Sequence, residues 1–142
     1  NRMSQFTKPE HYTLMSLWGI FKSPLMIGGN MPENDDFTLS LLTNEDYMTM
    51  HRESYGAKEI FRNEKNGKGT VIWSANGKKC KYIAIFNTDT KARKIKADLT
   101  GILMPDEQYS LYDIWQKSNV GKCKNSITAE VEPHGAKLYR IY

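Results

Sequence analysis

Residues 16–29, SLWGIFKSPLMIGG, constrain the fold of this chain more than any other stretch. They combine the end of an amphipathic helix, a break at Ser23 and Pro24, an apolar triplet at residues 25–27 and a pair of glycines. The helix ends at the break because the residue before a proline is disfavoured in the α region. A continuous apolar run is typical of a strand buried on both faces. The stretch therefore predicts one helix-to-strand step of a parallel α/β fold, although the chain offers this strand no evident neighbour.

Helical patterns surround this step on both sides. The first helix begins at a capping box formed by Thr7 and Glu10. Its apolar residues recur at helical spacing and form one wide face: Leu14, Leu17, Trp18 and Phe21. Asp35 or Asp36 caps a second predicted helix, and a capping pattern over residues 43–46 begins a third that fades near Glu53.

The pattern changes from helical to strand-like after residue 54. Asn-Gly between two apolar runs, as at Asn66 and Gly67, is a strong hairpin signal. Seven short strands are predicted, over residues 59–63, 70–75, 81–87, 94–99, 109–113, 126–132 and 137–142. Strands at this spacing indicate an antiparallel sandwich or barrel. We therefore predict two regions, residues 1–54 and residues 55–142.

The charge distribution supports the same division. Residues 1–54 carry 4 Lys or Arg against 7 Asp or Glu, a balance of −3, and residues 55–142 carry 16 against 9, a balance of +7. A basic half could bind nucleic acid or an anionic glycan. Its lysines are scattered in turns such as Asn66-Gly67-Lys68, which favours solvated strand faces over a nucleic-acid site. The sequence contains no run of about 18 apolar residues, so no membrane span is predicted.

Few residues form a pattern that could carry chemistry. Adjacent Asp35 and Asp36 have diverging side chains at a helix start, and the aspartates of the strand-rich half lie in or beside turns, so no catalytic pair is predicted. The histidines His11, His51 and His134 are isolated, and no metal site is predicted. No cofactor site is predicted either, because no phosphate-binding pattern follows the paired glycines.

Two further features of the strand-rich half leave alternatives open. Cys80 and Cys123 could form one disulfide or remain free buried thiols. Aromatic residues such as Trp73 and Tyr82 could stack on sugars if exposed in a row. Their position within alternating strand runs favours a place in the core.

Several blocks of the sequence resemble one enzyme family. Residues 16–29 followed by residues 36–44, DFTLSLLTN, resemble the last barrel segment of glycoside hydrolase family 27, the α-galactosidase and α-N-acetylgalactosaminidase family. Later blocks agree in their order with the C-terminal β domain of that family: Val71-Ile-Trp73, residues 83–87, Tyr112-Asp-Ile-Trp115 and Pro133-His-Gly135. Position 30 differs from the family pattern, because this chain has Asn30 where many members have an acidic residue after the glycines.

The resemblance implies a mainly β chain: an antiparallel β-sandwich preceded by the last helix–strand–helix segment of a (β/α)₈ barrel. It also implies a retaining glycosidase acting on terminal α-linked galactose, with both catalytic aspartates on barrel strands upstream of residue 1. This chain alone is then expected to be inactive, and its alternative role is that of a non-catalytic carbohydrate-binding or barrel-stabilising module. The family favours a secreted or periplasmic location, and the start Asn1-Arg2-Met3 suggests a chain cut from a longer one.

Two expectations concern the barrel segment itself. Barrel enzymes place their chemistry at the C-terminal ends of the strands, so Gly28, Gly29, Asn30 and Met31 are candidates for the substrate-binding rim. The apolar helix face would normally cover barrel strands. In this chain we expect it to fold back on the β domain or to pair with a second copy, giving a homodimer through Leu14, Leu17, Trp18 and Phe21.

Overall fold

A computed structural model describes residues 9, 10, 12, 13, 16 and 43–142. The described residues before residue 43 have helical backbone conformation. Over residues 43–142 the chain forms one helix, α1 (Glu45–Glu53), and eight strands. The strands are β1 (Tyr55–Lys65), β2 (Lys68–Gly77), β3 (Cys80–Asn87), β4 (Arg93–Asp98), β5 (Tyr109–Asp113), β6 (Ser118–Cys123), β7 (Ser126–Val131) and β8 (Ala136–Ile141).

The strands form two antiparallel sheets that pack face to face. The larger sheet has six strands in the order β1-β2-β3-β8-β5-β6, and the smaller pairs β4 with β7. In β4 and β7, buried and exposed residues alternate, so each strand presents one apolar face to the larger sheet. The core between the sheets is made of buried apolar side chains, among them Ile72, Ile83, Ile85, Ile95, Ile127, Val131 and Ile141. The predicted antiparallel β-sandwich is confirmed.

The larger sheet is buried on its second face as well. There α1 places Tyr47 and Met50 in a separate cluster with side chains from β2, β3 and β8. Burial on both faces explains why every residue of β3 from Tyr82 to Asn87 is buried, without the alternation seen in β4. The helix and the sheet therefore share one core.

Asn44 fixes α1 to the sheet at the start of the helix. Its side-chain Oδ1 accepts a hydrogen bond from the Tyr47 N–H at 2.9 Å, the usual N-cap bond. Its Nδ2 donates to the Ile114 carbonyl oxygen at 2.8 Å, just beyond β5. The third predicted helix is confirmed, and within the predicted capping pattern the N-cap is Asn44, whose amide serves both partners.

Substitution of Asn44 should separate these two contributions. Asn44→Ala is expected to lower the free energy of unfolding by about 2–4 kcal/mol, because it removes the cap and leaves the Ile114 carbonyl without its partner. Asn44→Ser keeps a capping oxygen and should recover about 1 kcal/mol of that loss. Urea unfolding of both variants measures the difference. Equal losses in the two variants would mean that the cap contributes nothing.

Two of the predicted turns behave differently. Asn66 and Gly67 form the β1–β2 hairpin turn, both with positive φ (57° and 74°), as the sequence predicts. At Asn76-Gly77, in contrast, β2 continues to pair as far as Gly77 with Cys80, and the turn lies at Lys78 and Lys79. A side chain at position 77 would meet the Tyr82 ring at 2.5 Å, so this glycine permits close packing beside a turn one residue later.

Seven of the eight strands were predicted from the sequence, and β6 was not. Only Cys123 of β6 is buried, because this strand lies at the edge of the larger sheet and pairs on one side only. A register shift and Gly121, with φ of 120°, further distort it. An exposed edge strand needs no apolar pattern, so the polar sequence of β6 gave no signal.

Cys80 and Cys123 are free thiols. Cys123 belongs to the core between the sheets, whereas Cys80 packs against the cluster on the opposite face of the larger sheet. The sheet thus separates the two residues, and burial raises the pKa of the Cys123 thiol. Among the described residues, no helix has the length and apolar character needed to cross a membrane.

Candidate functional site

A cavity of about 350 Å³ lies where the N-terminal helical residues meet the end of the sandwich. One wall comes from Pro9 and Tyr12 and another from the end of β5 and the turn that follows it. The remaining wall comes from Ala92, the end of β7, the turn between β7 and β8 and the start of β8. Its lining residues are Pro9, Tyr12, Ala92, Asp113, Trp115, Gln116, Glu130, Glu132, Gly135, Ala136 and Lys137. The cavity thus combines aromatic, acidic, amide and ammonium groups.

Trp115 joins the helical segments to the sheet beside this cavity. Its ring stacks on the Tyr47 ring of α1, with the ring centroids 4.9 Å apart. The Tyr12 ring packs against it in a tilted orientation, with the centroids 5.5 Å apart. Its indole Nε1 donates a hydrogen bond to Ser16 Oγ at 2.9 Å. Thr13 Oγ1 also donates to the carbonyl oxygen of His134, at 2.8 Å. The described residues Tyr12, Thr13 and Ser16 therefore contact the β-sandwich, whereas the apolar face whose covering was predicted lies outside the described residues.

Asp113 is the most deeply buried acidic residue of the cavity wall, at 3% exposure. Its Oδ1 accepts a hydrogen bond from the Gln116 N–H at 3.0 Å, and its Oδ2 lies 4.0 Å from the Lys137 Nζ. Burial raises the pKa of the Asp113 carboxyl, while the Gln116 hydrogen bond and the Lys137 charge oppose that shift. Burial and the charges of Asp113 and Glu132 raise the pKa of Tyr12.

A second, more open groove of about 610 Å³ lies at another part of the larger sheet. It contains exposed aromatic rings, Tyr55 at 62% and Tyr142 at 43% exposure. The Arg140 guanidinium lies 4.3 Å from the Tyr142 ring centroid, and Tyr142 donates its hydroxyl hydrogen to Asn119 Oδ1 at 2.9 Å. Tyr142 therefore has a fixed orientation at the groove wall.

The other aspartates of the strand-rich half have turn roles, as the sequence predicts. Asp89 accepts a hydrogen bond from the Thr90 N–H and pairs with Arg93, and these contacts lower its pKa. Asp98 accepts from the Thr100 N–H, which lowers the pKa of Asp98. These carboxylates are already engaged by their own turns. No group of three or more His, Cys, Asp and Glu in the described part of the chain could hold a metal ion.

Several residues singled out from the sequence lie outside the described residues. These are the barrel-rim candidates Gly28, Gly29, Asn30 and Met31 and the proposed dimer face of Leu14, Leu17, Trp18 and Phe21. Conversely, no pattern in the sequence groups Tyr12, Asp113 and Lys137. They come from distant points of the chain and only the fold brings them together. Two blocks that carry the resemblance, Tyr112-Asp-Ile-Trp115 and Pro133-His-Gly135, contribute residues to the cavity wall and were the sequence signals for this site.

The comparison with known families decides the identity of the sandwich. Residues 67–141 match the family model described as the alpha galactosidase C-terminal beta sandwich domain. The chain belongs to this family. It corresponds to the C-terminal part of glycoside hydrolase family 27 enzymes, and the resemblance found in the sequence is confirmed.

Individual relatives of this β-sandwich chain agree with the family match. The chain is 32% identical over 138 residues to alpha-galactosidase D of Emericella nidulans, covering 95% of this chain and 20% of the relative. The structure of a GH27 β-L-arabinopyranosidase from Geobacillus stearothermophilus has 36% identity and a TM-score of 0.86, covering 99% of this chain and 31% of that one. Alpha-galactosidase I from Mortierella vinacea, at 20% identity and a TM-score of 0.83, supports the fold alone. The chain spans only about a fifth to a third of these relatives.

Proposed function

We propose that this chain acts as the C-terminal part of a longer, retaining α-galactosidase-like glycoside hydrolase that releases terminal α-linked galactose. One observation carries the proposal: nearly the whole chain, 99%, aligns with a third or less of a family 27 enzyme at 36% identity. The remaining length of that relative has no counterpart here. The catalytic aspartates that the resemblance implies would then belong to upstream barrel strands, and the chain by itself would be inactive.

Within such an enzyme, the β-sandwich would stabilise the end of the barrel. Support comes from α1, whose Tyr47 and Met50 share a core with the sheet, and from Trp115, which contacts both α1 and the earlier helical residues.

The boundary between residues 54 and 55 remains a prediction, testable by limited proteolysis that leaves a stable core from near Tyr55. The rim at residues 28–31 also remains a prediction. It would be wrong if Asn30→Ala in the longer enzyme left substrate binding and turnover unchanged.

The activity assay compares this chain with the longer enzyme. Para-nitrophenyl α-D-galactopyranoside is the primary substrate, and the β-L-arabinopyranoside tests the activity for which the Geobacillus relative is named. We expect no nitrophenol release by this chain above the buffer rate, and turnover with retained configuration by the longer enzyme. Hydrolysis by this chain would contradict the proposed inactivity. If the Asp113→Asn and Glu132→Gln variants then lost this hydrolysis, the activity would be assigned to the cavity.

A further inference from the structure

The cavity between the N-terminal helical residues and the sandwich has walls of unusual chemistry for a contact between two structural segments. Its carboxyl groups belong to Asp113, Glu130 and Glu132, and its ammonium group to Lys137. Gln116 adds an amide that both donates and accepts, and the rings of Tyr12 and Trp115 form its aromatic wall. A volume of about 350 Å³ lies within the range of small-molecule sites.

Each of the simpler ligand classes conflicts with part of this wall. A divalent cation would meet Lys137, whose Nζ lies 4.0 Å from the Asp113 Oδ2, and the described residues offer no metal-binding group. An anion would face three carboxyl groups with only one ammonium group to offset them. A wholly apolar ligand would leave these polar groups without partners, which costs free energy.

A neutral, polyhydroxylated ring satisfies all of these groups. Its hydroxyl groups can donate to carboxylate oxygens and accept from the Lys137 ammonium and the Gln116 amide. Its C–H face can lie on the aromatic rings of Tyr12 and Trp115. We propose that this cavity binds a single neutral sugar unit, with Asp113 as its central hydrogen-bond acceptor. This binding goes beyond the proposed hydrolysis and does not rest on it, because no catalytic aspartate is needed.

Two of the side chains that would form the site, those of Asp113 and Trp115, are already held in place. The backbone N–H groups of Gln116 and Trp115 hold the Asp113 carboxylate, and Lys137 Nζ lies 4.0 Å from its Oδ2, beyond hydrogen-bond distance. Because a carboxylate can accept about four hydrogen bonds, it keeps capacity for further donors. Trp115 is fixed by its stacking on Tyr47 and by its hydrogen bond to Ser16. Groups that are fixed before binding lose little conformational entropy when a ligand arrives.

The test is a titration of the whole chain with D-galactose and, separately, with L-arabinose, followed by two-dimensional NMR of backbone and indole N–H groups. We expect saturable shifts of the Trp115 indole N–H and of the amides of Gln116 and Lys137. Neither titration involves hydrolysis, so the absence of sugar binding would leave the proposed enzymatic function untouched. A Trp115 signal that does not move up to the solubility limit of either sugar would overturn the proposal.

Two variants locate the binding. Asp113→Asn keeps an oxygen for the Gln116 N–H and should weaken sugar binding about tenfold or more, since a hydrogen bond to a charged group is lost. Tyr55→Ala changes the exposed groove and should leave binding unchanged. Shifts that cluster at Tyr55 and vanish in Tyr55→Ala would place the sugar in the groove and refute the cavity. If Asp113→Asn does not fold, Gln116→Ala replaces it, because Gln116 is exposed and lines the same cavity.

Discussion

Asn87→Asp is expected to lower the free energy of unfolding by about 3–5 kcal/mol. Asn87 is buried at the end of β3, and its Nδ2 lies within hydrogen-bond distance of the carbonyl oxygens of Lys91, Val131 and Glu132, at 2.8, 3.0 and 3.1 Å. Its Oδ1 accepts from the Asp89 N–H at 2.9 Å. The amide thus joins the larger sheet to the smaller one. A carboxylate would replace this donor by a buried charge facing acceptor oxygens.

The pH dependence distinguishes this cause from a simple loss of packing. Burial among carbonyl groups would raise the pKa of the new carboxyl in the folded state above its unfolded value of about 3.9. The ionic part of the destabilisation is therefore present above the folded pKa and disappears as the pH falls below the unfolded one. Urea unfolding of variant and wild type should give a smaller difference near pH 4 than at pH 7.

Asn63→Asp is the matched control, because it makes the same chemical change on exposed β1. We expect this variant to stay within about 0.5 kcal/mol of wild type at both pH values. A loss in Asn87→Asp that equals that of the control, or that does not depend on pH, would show that the Asn87 amide is not the link between the sheets.

Local patterns predicted most of the strands because each pattern reports a local requirement. The hairpin at Asn66-Gly67 needs positive φ at two successive residues, and that requirement is written in the sequence itself. β6 needs only one partner strand and no buried face, so nothing in its sequence marks it. Gly77 looked like a turn glycine, yet it is required by the nearby Tyr82 ring, a contact between two strands. Such contacts follow from the register and cannot be derived from one strand alone.

The candidate site was less predictable than the fold for the same reason. Asp113 and Lys137 approach each other because β5 pairs with β8, with Asp113 opposite Tyr139, so that Lys137, two residues before Tyr139 in β8, is a diagonal neighbour. Tyr12 reaches the cavity from about a hundred residues away along the chain, because its ring packs against the ring of Trp115. No spacing rule connects residues that are brought together by pairing of non-consecutive strands.

Tyr47→Ala is expected to cost about 3–5 kcal/mol of unfolding free energy, whereas Tyr47→Phe should be neutral or stabilising by about 1 kcal/mol. Tyr47 is fully buried between α1 and the larger sheet and stacks on Trp115. Removal of its ring would leave a cavity and abolish the stacking. Its hydroxyl, however, is buried without a hydrogen-bond partner among the described residues, and burial raises its pKa. Phenylalanine would keep the ring and remove only this unsatisfied group.

Chemical denaturation of both variants beside Tyr55→Ala tests this contrast. Tyr55 is largely exposed, so its truncation should change stability by about 0.5 kcal/mol or less. A loss above about 1 kcal/mol in Tyr47→Phe would mean that the hydroxyl has a partner, such as a buried water, that stabilises the fold. A small effect of Tyr47→Ala would instead contradict the shared core of α1 and the sheet. The helix would then be only loosely attached, and the β-sandwich could not hold the end of a barrel through it.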